Sequence, residues 1–329
     1  KDNLKPLKKV FRIYNQFLFD QDLFDTETVA IDGSKFQGQN STKNNYNDKK
    51  VKQHLDHIEK QTQKYLKEMD VLDKVEFESE IEIEQRLELS DKLNQLQRRK
   101  DKYDNLNQKI KAAREEGHTQ VSTTDPDARA LPKRMNVVQV GYNVITAADL
   151  KNKLITNFKV ANQLDTYQLT DVAKDAKIVL QKKENENLTV LADKGFDTGS
   201  ELKACAENNI TTIVAVKKRL SNKKNKAFAK NKFHFDEEKN EYRCPKNHPL
   251  KTNGNWYKRK AYSQHRAEYK FQRYNCSYAI CKNCPFKLDC VGAPLKQRKG
   301  RFIERSESES FIEGNTERYR LNKELYQKR

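Results

Sequence analysis

Two aspartates end matching apolar runs. Leu188-Thr-Val-Leu-Ala192 leads into Asp193, with Gly195 two residues on, and Thr28-Val-Ala-Ile31 leads into Asp32 and Gly33. Short apolar, β-branched runs read as buried strands of a parallel sheet, and ligands bind outside the carboxyl ends of such strands. Hard cations such as Mg²⁺ take carboxylate oxygens as ligands. Two such cations, roughly 3.5–4 Å apart, can hold the attacking and leaving oxygens of a phosphodiester in line. Asp32 and Asp193 are therefore candidate catalytic residues and candidate Mg²⁺ ligands, on the condition that their strands are neighbours. A single strand-end Asp followed by Gly is ordinarily a turn residue.

Sulfur supplies a second constellation. Cys244, Cys276, Cys281, Cys284 and Cys290 fall close together, while Cys205 stands apart. Four thiolates in tetrahedral geometry hold a structural Zn²⁺ with no open position for catalysis. The Cys281-Lys-Asn-Cys284 knuckle, Cys290 and the more distant Cys244 are the expected ligands, with Cys276 and His248 as alternates for the fourth place. No secretory signal pattern opens the chain, and the cytosolic setting this suggests favours metal over disulfides.

The 329 residues carry a formal net charge of +18, with 35% hydrophobic and 34% charged residues. No apolar run is long enough to span a membrane. So large a basic excess points to a polyanionic partner, most simply nucleic acid. Cations and rings interleave through Trp256-Tyr-Lys-Arg-Lys260, Tyr262, His265-Arg266, Tyr269-Lys270-Phe271 and Arg273-Tyr274. Cations would neutralise phosphates and rings would pack on sugars or bases, with Trp256 and Phe271 assigned instead to a small core around the metal. The candidate DNA contacts are Lys35, Lys217, Lys218, Arg219, Lys258, Arg259 and Lys260, and residues 217–232 read as a basic loop.

The elements that must position these groups follow from periodicity. Val10, Phe11, Ile13, Tyr14, Phe17 and Leu18 fit an amphipathic helix packed on a core. Val51, Leu55, Ile58, Tyr65 and Met69 keep a seven-residue rhythm, as do Leu89, Leu93, Leu96, Tyr103 and Ile110, so residues 48–116 are expected to form an antiparallel helical hairpin. This arm is read as solvated rather than as a DNA or dimer contact. Val138, Val140, Tyr142 and Val144 alternate, as do Leu154, Thr156, Phe158 and Val160, on either side of a turn at 147–152. A helix over Asp165–Lys182, the Asp193 strand, a helix near Ser200–Glu207 and a strand over Thr211–Val216 follow. Three meandering strands and two right-handed crossovers place the Asp32 and Asp193 strands side by side and parallel. The fold expected is α/β with a ribonuclease-H-like mixed sheet, a helical-hairpin insertion and a small Cys-rich, zinc-binding insertion. The expected segments are 1–47, 48–116, 117–219, 220–300 and 301–329.

Four motifs recur in order: Val29-Ala-Ile-Asp-Gly-Ser-Lys-Phe36, Gly141-Tyr-Asn-Val144, Asn162-Gln-Leu-Asp-Thr166 with Gln168-Leu169, and Leu191-Ala-Asp-Lys-Gly-Phe196. Together they resemble bacterial insertion-sequence transposases of the DDE class, in the branch with a long helical insertion after the first Asp and a Cys-rich segment before the last helix. The resemblance implies a ribonuclease-H-like core, Mg²⁺ or Mn²⁺, and cut-and-paste movement of double-stranded DNA between element ends and a target. A homodimer is implied by analogy, since two ends are held together. It puts the first two catalytic carboxylates on Asp32 and Asp193. The third is a Glu in a pattern of Tyr, two residues, Arg, three residues, Glu. Tyr326 and Arg329 match its opening, which sets the Glu about four residues past Arg329. Glu313, Glu317 and Glu324 are read as exposed helix charges. Asp165 also matches a family position, where it would orient a metal or, the favoured reading, cap the following helix. Asp125 and Asp127 are read as turn residues. The alternative is a catalytically dead, truncated or co-opted relative that only binds DNA.

Overall fold

The computed structural model describes residues 4–39, 41–74, 79–115, 118–132, 138–217, 226–260, 268–292 and 298–329. In chain order the elements are α1 (Leu4–Asp20), β1 (Thr28–Gln37), β2 (Asn45–Tyr46), α2 (Asp48–Leu72), α3 (Glu80–Glu115), β3 (Val121–Ser122), β4 (Arg129–Pro132), β5 (Val138–Asp149), β6 (Ile155–Ala161), α4 (Leu169–Val179), β7 (Leu188–Ala192), α5 (Gly199–Glu207), β8 (Ile210–Val214), β9 (His234–Asp236), β10 (Glu241–Arg243), β11 (Pro249–Arg259), β12 (Tyr269–Asn275), α6 (Tyr278–Lys282), α7 (Lys287–Val291), β13 (Phe302–Ser306), α8 (Glu309–Leu321) and α9 (Lys323–Gln327). Two compact units emerge. One comprises Lys1–Gly33, Ile145–Lys159 and Asp165–Arg329, and the other Ser34–Val144 and Val160–Leu164.

The first unit is built on a mixed sheet in which β1 lies between β5 and β7, β8 follows β7, and β6 pairs with β5. β1 and β7 run parallel, in register from Thr28 opposite Thr189 to Ile31 opposite Ala192. β7 and β8 are also parallel, from Leu188 opposite Ile210 to Ala192 opposite Val214. Val29, Ile31, Leu188, Val190, Leu191 and Ala192 are fully buried, as expected of strands covered on both faces. The covering side chains include Leu169, Val172, Ala173 and Ala176 of α4, and Leu202 and Cys205 of α5. Each large apolar side chain removed from water in this way contributes about 1.5–3 kcal/mol.

A buried clamp fixes the last long helix to this sheet. Asn315 of α8, with no exposed surface, accepts from Val214 N at 2.9 Å and donates to Val214 O at 3.0 Å. Arg318 Nε donates to Thr212 O at 2.8 Å. The same unit carries an antiparallel sheet in the order β13-β12-β11-β10-β9. Its core is Phe228, Phe233, Tyr242, Leu250, Tyr274 and Ile303 together with Cys276, Cys281 and Cys290.

In the second unit α2 and α3 pack along each other through Val51, Ile58, Leu96, Tyr103, Leu106 and Ile110. Their seven-residue rhythm puts these side chains on one seam. Asn47 caps α2 by accepting from Lys50 N at 2.9 Å. Arg114 near the end of α3 pairs with Asp48 at the start of α2, and β2 and β3 join antiparallel beside them.

Several expectations are corrected by this fold. α1 does not bury all of its apolar residues: Leu18 is buried, but Val10, Ile13, Tyr14 and Phe17 are exposed. Its apolar residues occupy two faces, and only one packs. α4 begins at Leu169, not Asp165, because Tyr167 takes a left-handed φ of 64° that a helix cannot include. The buried phase of β5 is Asn143, Ile145, Ala147 and Asp149, shifted by one residue after Val140 and Gly141, which are both buried. Trp256 is 52% exposed and is not part of the core, whereas Phe271 is buried. Among the described residues no helix is long and apolar enough to cross a membrane.

Replacing Asn315 by Ala would strand the Val214 N–H and C=O at a buried site. Asn315→Ala is expected to cost about 3 kcal/mol, read as a lowered midpoint in urea unfolding with an unchanged slope.

Candidate active site

Parallel pairing carries the two aspartates to the same place. Ile31 and Ala192 are the last paired residues of β1 and β7, and Asp32 and Asp193 are the next residue in each strand direction. The Asp32 side chain is 63% exposed and accepts from the Gly33 N–H at 2.9 Å. Asp193 opens a single 3₁₀ turn, Lys194–Phe196, and its Oδ1 accepts from Gly195 N at 2.5 Å. The carboxylate is thereby aimed by the turn its own residue starts.

Gly195 also reveals a third acid. A Cβ there would stand 2.7 Å from Asp193 Oδ1 and 2.8 Å from Asp165 Oδ2. Both carboxylates therefore crowd the one residue that lacks a side chain. The N-cap of α4 is Gln168, three residues past Asp165, so the capping role expected for Asp165 is not the one it takes. The short loop from Asp165 to Leu169 has no periodicity from which its place beside Gly195 could be read.

Cations and the C-terminal helix close the surroundings. Lys217 N donates to Asp197 Oδ2 at 3.0 Å, and its Nζ donates to Asp197 O at 3.0 Å and to Gly195 O at 3.4 Å. Asp197 is buried; its part in holding this turn was not read from the sequence, where it looks like any loop acid. Arg329 Nη1 lies 3.7 Å from Asp32 Oδ1 and donates to Ile31 O at 3.4 Å. Tyr326, which stacks edge-on against Tyr319 at 4.9 Å, has its phenol pushed up by burial. Arg329 opposes that shift, while Asp193 and Asp32 add to it. The two side chains of the Tyr-x-x-Arg pattern thus face the two strand-end carboxylates. Glu313 forms a two-pronged pair with Arg305 at 2.7 and 2.9 Å, and Glu317 pairs with Arg320.

The thiols also gather. Cys244, Cys276, Cys281, Cys284 and Cys290 line one small cavity with His248. The backbone N–H groups of Lys246 and His248 each donate to Cys244 Sγ at 3.3 Å. Burial pushes the Cys276 thiol up to about 12, helped by Cys281, Cys244 and Cys290. Cys205 lies elsewhere, buried against Thr170. Among the described residues no group of three or more His, Cys, Asp or Glu side chains is already gathered in a metal-holding arrangement. Neither the carboxylates nor the thiols are a finished cage.

The expected DNA contacts divide. Lys258 and Lys260 are exposed, as is Trp256. Arg259 is held by Glu304 at 2.8 Å and lies over the Phe271 ring, and Arg273 shares the same Glu304 at 3.0 Å. Lys35 donates to Pro132 O at 2.6 Å. Lys218 and Arg219 lie outside the described residues, as do Tyr262, His265 and Arg266.

A mixed sheet whose central parallel strands end in adjacent aspartates is of the kind ribonuclease-H-like transposases use. A family model described as the transposase DDE domain matches residues 118–329, and the chain belongs to that family. No curated protein and no solved structure matches it.

Because a methyl on Gly195 must displace both carboxylates, Gly195→Ala is expected to weaken Mn²⁺ binding about tenfold or more without unfolding the chain. Calorimetric titration checks the first point and circular dichroism the second.

Proposed function

We propose that this transposase-family chain cuts and joins DNA with Asp32 and Asp193 as its metal-holding carboxylates. The observation that supports this most is their adjacency at the ends of paired parallel strands. The donors are hard, partly exposed oxygens on a rigid sheet, which suits Mg²⁺ or Mn²⁺; such ions take one or two carboxylates and leave the remaining positions to water and substrate phosphate. When bound, divalent cations supply Lewis-acid activation of the phosphodiester and of the attacking oxygen. Asp165, against the same glycine as Asp193, is read as an orienting carboxylate. The third catalytic Glu that the resemblance implies is placed after Tyr326 and Arg329 by the spacing of its pattern alone.

Two in-line displacements account for the reaction. Water attacks the phosphorus at an element end, the 3′-oxygen leaves and takes up a proton, and a 5′-phosphate remains. The freed 3′-hydroxyl then attacks a phosphodiester of target DNA, so one bond forms as one breaks and no outside energy source is needed. No covalent link between enzyme and DNA arises. Lys217, fixed by the carbonyls of residues 195 and 197, puts a positive charge beside the turn where phosphate would lie. The exposed Trp256, Lys258 and Lys260 are read as DNA contacts away from the carboxylates, with affinity that falls as salt rises. Cys244, Cys281, Cys284 and Cys290 are read as the ligands of a structural Zn²⁺, with Cys276 beside them.

Asp193→Asn removes one charged oxygen and keeps the side chain's shape. Metal-dependent strand transfer by the full-length protein is expected to fall about a hundredfold or more, with DNA binding retained. Equal strand transfer by Asp193→Asn and the parent protein would overturn the catalytic assignment.

A further inference from the structure

The α2–α3 arm has one basic side. Its seam is set by Val51 and Ile58 of α2 and by Leu96, Tyr103, Leu106 and Ile110 of α3, all buried. Successive residues of a helix are turned by about 100°. The two helices are right-handed and antiparallel, so equal rotations away from the seam land on the same side of the pair. On α2 that side carries Lys50, His57 and Lys60, with His54 at its edge. On α3 it carries Arg98, Lys102 and Lys109, with Arg99 at its edge. The acids of these stretches, Asp56, Glu59, Asp101 and Asp104, fall on the opposite side or point directly away from the seam.

Electrostatics brings the two halves of this side together. The His54 imidazole stacks on Tyr103 with ring centroids 4.5 Å apart. It is pushed below the ordinary histidine range by burial first, and then by Lys50, Arg99 and His57. All three of those neighbours are basic. Elsewhere on the arm cations are neutralised: Lys64 pairs with Glu68, Lys92 with Glu88, Arg86 with Asp73 and Arg114 with Asp48. Lys60, Arg98, Arg99, Lys102 and Lys109 are exposed, and among the described residues none of them is paired with a carboxylate.

A row of unpaired cations repels itself and attracts a polyanion. The arm's exposed large apolar residues, Leu66, Val71, Ile81, Ile83 and Leu87, all lie beyond the row, toward the far end of the arm. A protein partner would need an apolar centre to its contact, whereas a phosphate backbone is held by Lys, Arg and other polar groups. At 1.5 Å per residue, Arg98 to Lys109 spans about 16 Å, the length of about five base pairs.

We propose that this side of the arm binds the phosphate backbone of double-stranded DNA without regard to sequence. The ligand rests on the transposase reading, but the surface uses none of the carboxylates, thiols or β11 residues assigned above. The arm is then a DNA contact and not the solvated insertion expected of it.

Two triple variants of the full-length protein test this. Arg98→Gln, Lys102→Gln and Lys109→Gln together strip the basic side. Lys52→Gln, Lys100→Gln and Lys111→Gln together remove the same charge from the opposite side. Gln keeps helix propensity, and circular dichroism checks that both variants are folded. Binding to a fluorescent duplex of arbitrary sequence is read by anisotropy across a salt series. The first variant is expected to bind about tenfold or more weakly, with a plot of log affinity against log salt shallower by about 2–3; the second is expected to stay close to the parent. Equal losses from the two variants would reduce the effect to net charge and overturn the proposal, as would a parental slope in the first or a parent that binds no duplex. Displacement of the duplex by poly-glutamate as readily as by unlabelled DNA would assign the surface to an acidic protein and overturn it too. Undiminished strand transfer by Asp193→Asn would refute the catalytic reading alone and leave the arm's binding in place.

Discussion

The parallel pairing of β1 with β7 is the constraint on which the rest of the site depends. Its ladder sets Ile31 opposite Ala192, and the next residue of each strand is an aspartate. A slip of one residue would turn every side chain of one strand to the other face, and would part the carboxylates with them. The slip is opposed by packing, because Val29, Ile31, Val190 and Ala192 have no exposed surface. The geometry of two acids 161 positions apart in the chain is therefore held by apolar packing and backbone hydrogen bonds, not by the acids themselves.

Around that pair, the chain spends its polar contacts on aiming. The Gly195 N–H holds Asp193, the carbonyls of residues 195 and 197 hold Lys217, and Asn315 fastens α8 to the strand next to β7. α9 follows α8 directly and delivers Tyr326 and Arg329 toward the aspartates. The contacts at Asp193 and Asn315 order short side chains against backbone groups, where the entropy cost is small, and holding the long Lys217 side chain costs more.

Much of this was legible in the sequence because it is periodic or punctuated. The Asp32 and Asp193 strands announce themselves by β-branched runs that stop at Asp, and the helical pair by Val51, Ile58, Leu96, Tyr103 and Ile110 at seven-residue steps. Where the sequence misled, periodicity counted apolar residues without saying how many faces are covered. In α1 the same helix packs Leu18 and leaves Phe17 in solvent. The phase of β5 slips where Val140 and Gly141 are both buried, and a Cβ at Gly141 would meet Phe36 O at 2.0 Å. Asp149 gave no signal at all. It is buried because the turn after β5 folds its own N–H groups onto it, from Asn152 and Leu154 at 2.7 Å each. Asp165 and Trp256 depend on distant partners, on Gly195 and on the reach of β11, and no local pattern encodes either.

The most direct test of the central claim is a count of cations at the strand ends. Mn²⁺ titration followed by electron paramagnetic resonance is expected to show a spin-coupled pair of ions in the DNA-bound full-length protein, and loss of that coupling in Asp32→Asn. A coupled pair that survives Asp32→Asn unchanged, or the absence of any coupled pair in the parent protein, would contradict it.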